Sequence, residues 1–134
     1  MFLLDTCVVS EATKMRKDAA VEKWLAATPE EEQFISALTI GELHFGAAKL
    51  PAGKKRRSFE EWIIEVEREF AGKVVPLDEH VAAVWGKLKA ADDHSQLVDM
   101  QIAATALTYG FIFATRNVKH FRFDGLKVVN PWEA

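Results

Sequence analysis

The sequence predicts an α/β fold, a parallel sheet covered by helices on both faces. Short apolar runs alternate along the chain with segments whose apolar residues recur at helical spacing, and turn residues separate the two kinds. Parallel strands need a crossover between them, and a helix is the usual one, so this alternation reads as a layered parallel sheet. Such sheets bind ligands at the carboxyl ends of their strands, where the chemistry is therefore expected.

Five runs read as strands: Phe2-Leu3-Leu4, Gln33-Phe34-Ile35-Ser36, Val74-Val75, Phe111-Ile112-Phe113-Ala114 and Leu126-Lys127-Val128-Val129. Short apolar runs bounded by turn residues suit strands buried on both faces. A short helix is expected around Val8 to Ala12. Ile40, Leu43, Ala47 and Leu50 share one helical face. Phe59, Trp62, Ile63, Val66 and Phe70 share another, with Pro51-Ala52-Gly53 as the break between them. Val81, Val84, Trp85 and Leu88 mark a further helix. Ile102, Ala103, Ala106 and Leu107 mark the last, which Gly110 ends. The face bearing Phe59 and Trp62 can serve the core, a partner's groove or a homodimer. No repeat, low-complexity tract or linker divides the 134 residues, so one domain, 1–134, is expected.

Composition excludes some function classes. No apolar run approaches the roughly 18 residues of a membrane span, and MFLLDTCVVSEATKMRK lacks the pattern of a signal peptide. The single cysteine, Cys7, cannot form an internal disulfide, which suits a reducing cytoplasm. The net charge of −3 argues against a whole-surface affinity for nucleic acid. Local basic runs remain. Lys54-Lys55-Arg56-Arg57 is compact, and Arg116, Lys119 and Arg122 form a sparser set. Each is either a solvated loop or helix end or a local contact for nucleic acid.

Three acids fall at strand ends or helix starts. Asp5 follows the first strand, Glu42 lies in the helix after the second, and Asp99 opens the helix before the fourth. Singly, each has a capping explanation. Thr39-Ile40-Gly41-Glu42 reads as a capping box with Glu42 reaching back to Thr39, and Asp5 and Asp99 suit helix N-termini. Together they would meet at one sheet edge, where unpaired carboxylates repel and resist burial. No lysine or arginine adjoins any of them in sequence. A hard divalent cation with oxygen ligands, Mg²⁺ or Mn²⁺, resolves the conflict.

The segments around these acids resemble a known family. LLDTCVVSE, SALTIGELHFG, VDMQIAATALTYG, FIFATRNVKHF and the ending KVVNPWEA resemble, in order, the sequence blocks of PIN-domain proteins, and in particular of VapC and FitB-like toxins. The resemblance implies a three-layer α/β/α sandwich with strand order 3-2-1-4-5. It implies a toxin ribonuclease that hydrolyses RNA with Mg²⁺ or Mn²⁺, forms a homodimer and is held by a VapB or FitA-like antitoxin. That antitoxin would lie near residues 39 to 71 and present an arginine to the acids. The family's metal-holding acids fall on Asp5, Glu42 and Asp99, and its fourth acidic position falls on Asn117. Thr6 and Thr115 match hydroxyl residues able to orient a metal-bound water, and Glu11 matches a residue that either supports Asp5 or lies on a solvated helix face. Arg116, Lys119, Lys54 and Lys55 are the candidates for holding RNA.

Two positions depart from the pattern. Cys7 replaces an asparagine and is expected to be a small buried residue, since no histidine near it in sequence could activate the thiol. His120 replaces an aspartate, which thins the outer acidic shell. His44, His80 and His94 show no zinc spacing. Two rivals remain in view. One is a PIN-like module that binds RNA or protein without cutting, supported by Asn117. The other is a receiver-type phosphoacceptor domain, which expects an acidic pair at its first strand and an aspartate at its third.

Overall fold

The structure, a computed structural model, describes residues 1–134. Five strands, β1 (Phe2–Leu4), β2 (Gln33–Ser36), β3 (Val74–Val75), β4 (Ile112–Ala114) and β5 (Val128–Val129), form one sheet in the order β3-β2-β1-β4-β5. Every pairing is parallel. Six helices connect them: α1 (Thr6–Ala12), α2 (Ala19–Ala27), α3 (Ala37–Lys49), α4 (Lys54–Glu69), α5 (Glu79–Ala91) and α6 (Leu97–Tyr109). No helix is long and apolar enough to cross a membrane.

Alternation along the strands divides the core in two. Leu3 and Phe113 face one side with Met100, Ile102, Ala103 and Ala106 of α6, while Leu4 and Ala114 face the other with Val8, Leu43, Ile63 and Val66. The result is three layers, with α5 and α6 on one face and α1, α3 and α4 on the other. Phe113 is fully buried and its ring meets Phe121 at 4.5 Å between centroids. Burying such a side chain contributes about 1.5–3 kcal/mol. Phe59 and Trp62 pack edge to face at the margin of the second core, and both are half-buried.

Three local expectations change. The last two strands start later than their apolar runs: Gly110 takes a left-handed conformation, φ 72°, and Phe111 N–H turns back to the Ala106 carbonyl, so β4 opens at Ile112. The segment Ala19–Ala27, to which no element was assigned from sequence, is helical, with Asp18 accepting from the amides of Ala20 and Val21. The capping box at Thr39 does not form. Ser36 caps α3 instead, its hydroxyl accepting from Leu38 N at 3.0 Å. With the helix start satisfied three residues earlier, Thr39 is buried inside the helix and Glu42 stands in its second turn, free of any capping duty.

The order also decides where a ligand can sit. The chain runs outward from β1 through β2 to β3, then returns to lay β4 against the other side of β1. The crevice at the carboxyl ends of β1 and β4 is the point of reversal, the usual ligand site of open α/β sheets.

Candidate active site

Asp5 and Thr115 flank that crevice, each directly after its strand. Backbone bonds from Asp5 N to Ala114 O, 2.9 Å, and from Thr115 N to Val129 O, 3.0 Å, carry the ladder to the site's edge. The Asp5 carboxylate caps α1, one oxygen accepting from Thr6 N at 2.8 Å. Its other oxygen accepts from Thr115 Oγ1 at 2.6 Å and faces Cys7 Sγ at 3.6 Å. Thr115 is fully buried, and its hydroxyl accepts from Asn117 N at 3.0 Å. Asp5 therefore caps α1 and lines the pocket at once.

Glu42 and Asp99 reach the same pocket from α3 and α6. The pocket holds about 450 Å³ and is lined by Asp5, Thr6, Cys7, Glu42, Asp99 and Asn117, among others. Thr6 Oγ1 reaches Glu42 Oε1 only at 3.5 Å. His120 Nδ1 stands 3.7 Å from Asp99 Oδ2. Glu42 is exposed as a residue, but partial burial of its carboxyl in the pocket holds it above the usual range, and the charges of Asp5 and Asp99 add to it. Asp99 is likewise raised, first by burial, with His120 opposing and Asp5 reinforcing the shift. The acids share a pocket, but no three candidate ligands stand at metal-binding spacing.

The other expected residues separate into near and far. Asn117 lines the pocket and Lys119 lies beside it. Arg116 stacks its guanidinium over the Trp132 ring at 5.1 Å. Lys54 and Lys55 form the exposed first turn of α4, beyond the end of α3 that lies opposite the pocket, and do not line it. Glu11 does not support Asp5. It is 7% exposed, and its carboxylate accepts from Lys14 Nζ at 2.9 Å and from Asp18 N at 3.0 Å, tying α1 to the start of α2. The Lys14 hydrogen bond leads the causes that lower its pKa.

Two features escaped the sequence. Cys7 is half-buried rather than buried and points its thiol at Asp5, and burial is the first cause raising its pKa, so it is a neutral donor and not a nucleophile. His120 supplies the ring nitrogen facing Asp99, although it lies 21 positions away in sequence.

Comparison with known proteins agrees with this geometry. Residues 2–126 match the family model described as "PIN domain". A protein of Sinorhizobium fredii named VapC ribonuclease Y4jK is 41% identical over 99% of both chains. Toxin FitB of Neisseria gonorrhoeae is 36% identical over 98% of this chain and 99% of its own. The crystal structure of FitAcB from Neisseria gonorrhoeae superposes with a TM-score of 0.85 at 34% identity, covering 100% of both chains. The layered sheet and its 3-2-1-4-5 order are thus those of a known group, and the chain belongs to the PIN-domain family.

Proposed function

We propose that the chain is a toxic endoribonuclease of a toxin–antitoxin pair, hydrolysing RNA phosphodiester bonds with a divalent metal, Mg²⁺ or Mn²⁺, and acting in the cytoplasm. The observation that carries it is three carboxylates from three elements lining one crevice at the topological reversal, two of them with raised pKa and none paired with a lysine or arginine. The relatives named ribonuclease and toxin support the same reading.

The donor set fits a hard cation, being made of oxygens with charge in excess of any local neutralisation. Mg²⁺ keeps several waters and needs only one or two protein carboxylates, so a closed cage is not required. Asp5, Glu42 and Asp99 would hold it, with Asn117 beside them. When bound, such a metal lowers the pKa of water and offsets charge developing on the phosphate. The chain's own residues prepare that site. Thr115 Oγ1 and the Thr6 amide fix the Asp5 carboxylate in one orientation. Thr6 Oγ1 stands 3.5 Å from Glu42, and His120 Nδ1 stands beside Asp99. The buried hydroxyl of Thr115 also holds Asn117 N, setting where that side chain leaves the backbone.

An antitoxin and a second copy of the chain complete the proposal, and the FitAcB assembly of a relative supports the first. The antitoxin would cover the acids and bring an arginine to them by charge-assisted bonds. A second reading, binding without cleavage, draws on Asn117 and on the open spacing of the acids. Cleavage of single-stranded RNA in Mg²⁺ or Mn²⁺, against the same reaction in chelator, decides between them. Cleavage that persists in chelator sinks the metal role, and none in either metal favours the binding module.

A further inference from the structure

A second cleft opens beside the acidic pocket and shares Asp99 and His120 with it. Lys119, Arg122, Ser95 and Gln96 supply much of the remaining wall, and none of its eight lining residues is hydrophobic. Its volume, about 480 Å³, is as large as that of the pocket holding the acids. Lys119 and Arg122 are exposed, and neither is within ion-pair distance of any carboxylate. The acids on the cleft are engaged otherwise. Asp92 accepts from His94 N at 2.9 Å and Ser95 Oγ at 2.8 Å, and Asp99 faces His120.

We infer that this cleft is an RNA subsite, in which Lys119 and Arg122 take the phosphate of a nucleotide adjoining the scissile bond. The inference rests on the ribonuclease reading above and adds the path of the strand. Three acids repel a polyanion, so cations must hold it on at least one side. Other directions away from the acids offer little. The groove that shares Glu42 is apolar, lined by Leu38, Phe45 and Val98, and has no cation. Arg116 is committed to the Trp132 ring. The contiguous polar route with free positive charge runs over the turn between α5 and α6, with His120 at the junction.

The test is Lys119→Ala/Arg122→Ala, compared with Lys73→Ala/Lys127→Ala. The control removes the same charge just ahead of β3 and β5, at the opposite edge of the sheet. Anisotropy of a fluorescent single-stranded RNA, titrated in chelator over a range of salt, reads binding without cleavage. The cleft variant is expected to bind about tenfold more weakly, and its salt slope to fall by about 1.4, or 0.7 for each lost phosphate contact. In cleavage its KM should rise more than its kcat falls, and Lys119→Arg/Arg122→Lys should restore binding. An unchanged salt slope, or an equal loss in the control, overturns the subsite. So does a variant that loses affinity for a protein partner but not for RNA. Wild-type protein that binds RNA with the expected slope yet never cuts it would defeat the ribonuclease reading and leave the subsite standing.

Discussion

The strand-borne acid and the helix-borne acids are held in different ways. Asp5 sits at the end of the central strand and accepts a 2.6 Å bond from a buried hydroxyl and a 2.8 Å bond from a helix amide. Glu42 and Asp99, carried on α3 and α6, have contacts of only 3.5 and 3.7 Å. The first is fixed by the protein before any ligand arrives. The other two lack close donors, and their pKa values are raised, first by burial and then by the neighbouring acids, with His120 opposing the shift at Asp99. On the reading proposed above, one acid would serve as a rigid reference point and two as adjustable ligands, a division suited to a cation that retains water and a phosphate that enters with it.

Removing any of the three acids should break the comparison most severely. Asp5→Asn, Glu42→Gln and Asp99→Asn are each expected to reduce RNA cleavage to background while leaving unfolding cooperative. Expression of the wild type alone should arrest growth, whereas Asp5→Asn at equal expression should not. A wild type as harmless as the variant would count against the toxin role.

The next effect separates anchor from ligand. Thr115→Val keeps every acid but removes the donor from Asp5. Cleavage should fall about 10–100-fold, as for the loss of a group that orients a metal ligand, and stability by about 1–3 kcal/mol for the unsatisfied bond. Denaturant melts and metal titrations of the same sample would show both. Unchanged metal affinity would mean that Asp5 does not need its anchor.

Stability against pH gives a smaller effect of opposite sign. The native pKa of Glu42 lies above its unfolded value, so ionisation costs the folded state. That cost is absent below the unfolded value of about 4.3. It grows as pH rises and is complete above the native pKa. Glu42→Gln should therefore stabilise the metal-free protein at neutral pH, by a few tenths of a kcal/mol after solvent screening of an exposed group. The advantage should vanish near pH 4 and reverse in saturating Mg²⁺, which stabilises the wild type more. A variant less stable at neutral pH without metal would show that Glu42 is not under electrostatic strain.

The last expected effect is a gain in metal affinity and concerns Asn117. An added carboxylate is attracted to the cation but repelled by the acids already there, so a net gain of about 1 kcal/mol, roughly fivefold, is expected for Asn117→Asp. Calorimetric titration of Mg²⁺ at one ionic strength measures it. Unchanged or weaker affinity would place Asn117 outside the coordination.

Much of this was legible in the sequence because it depends on period and order. Runs such as Leu3-Leu4 and Phe113-Ala114 must be strands buried on both faces, and alternation with helices makes the sheet parallel. Asp5, Glu42 and Asp99 were readable as a group because parallel strands end at one edge. The direction of side chains was not readable. Ser36 and Thr39 are both good N-caps, and only the backbone path decides that Ser36 is used. Glu11 stands one turn from the pocket-lining Cys7, yet its carboxylate turns to Lys14 and Asp18. His120 meets Asp99 only because the segment after β4 folds back over the start of α6.

The bond between Asp5 and Thr115 joins residues 110 positions apart. On a ribosome the first strand therefore emerges long before the strand that completes its pairing, and the carboxylate waits without its anchor until β4 has been made and docked. Loops of this span close late, because their entropy must be offset by contacts that do not yet exist. A growing chain up to that point has acids but no assembled centre. We expect the enzyme to gain its cutting power late in its own synthesis, a delay written into the strand order.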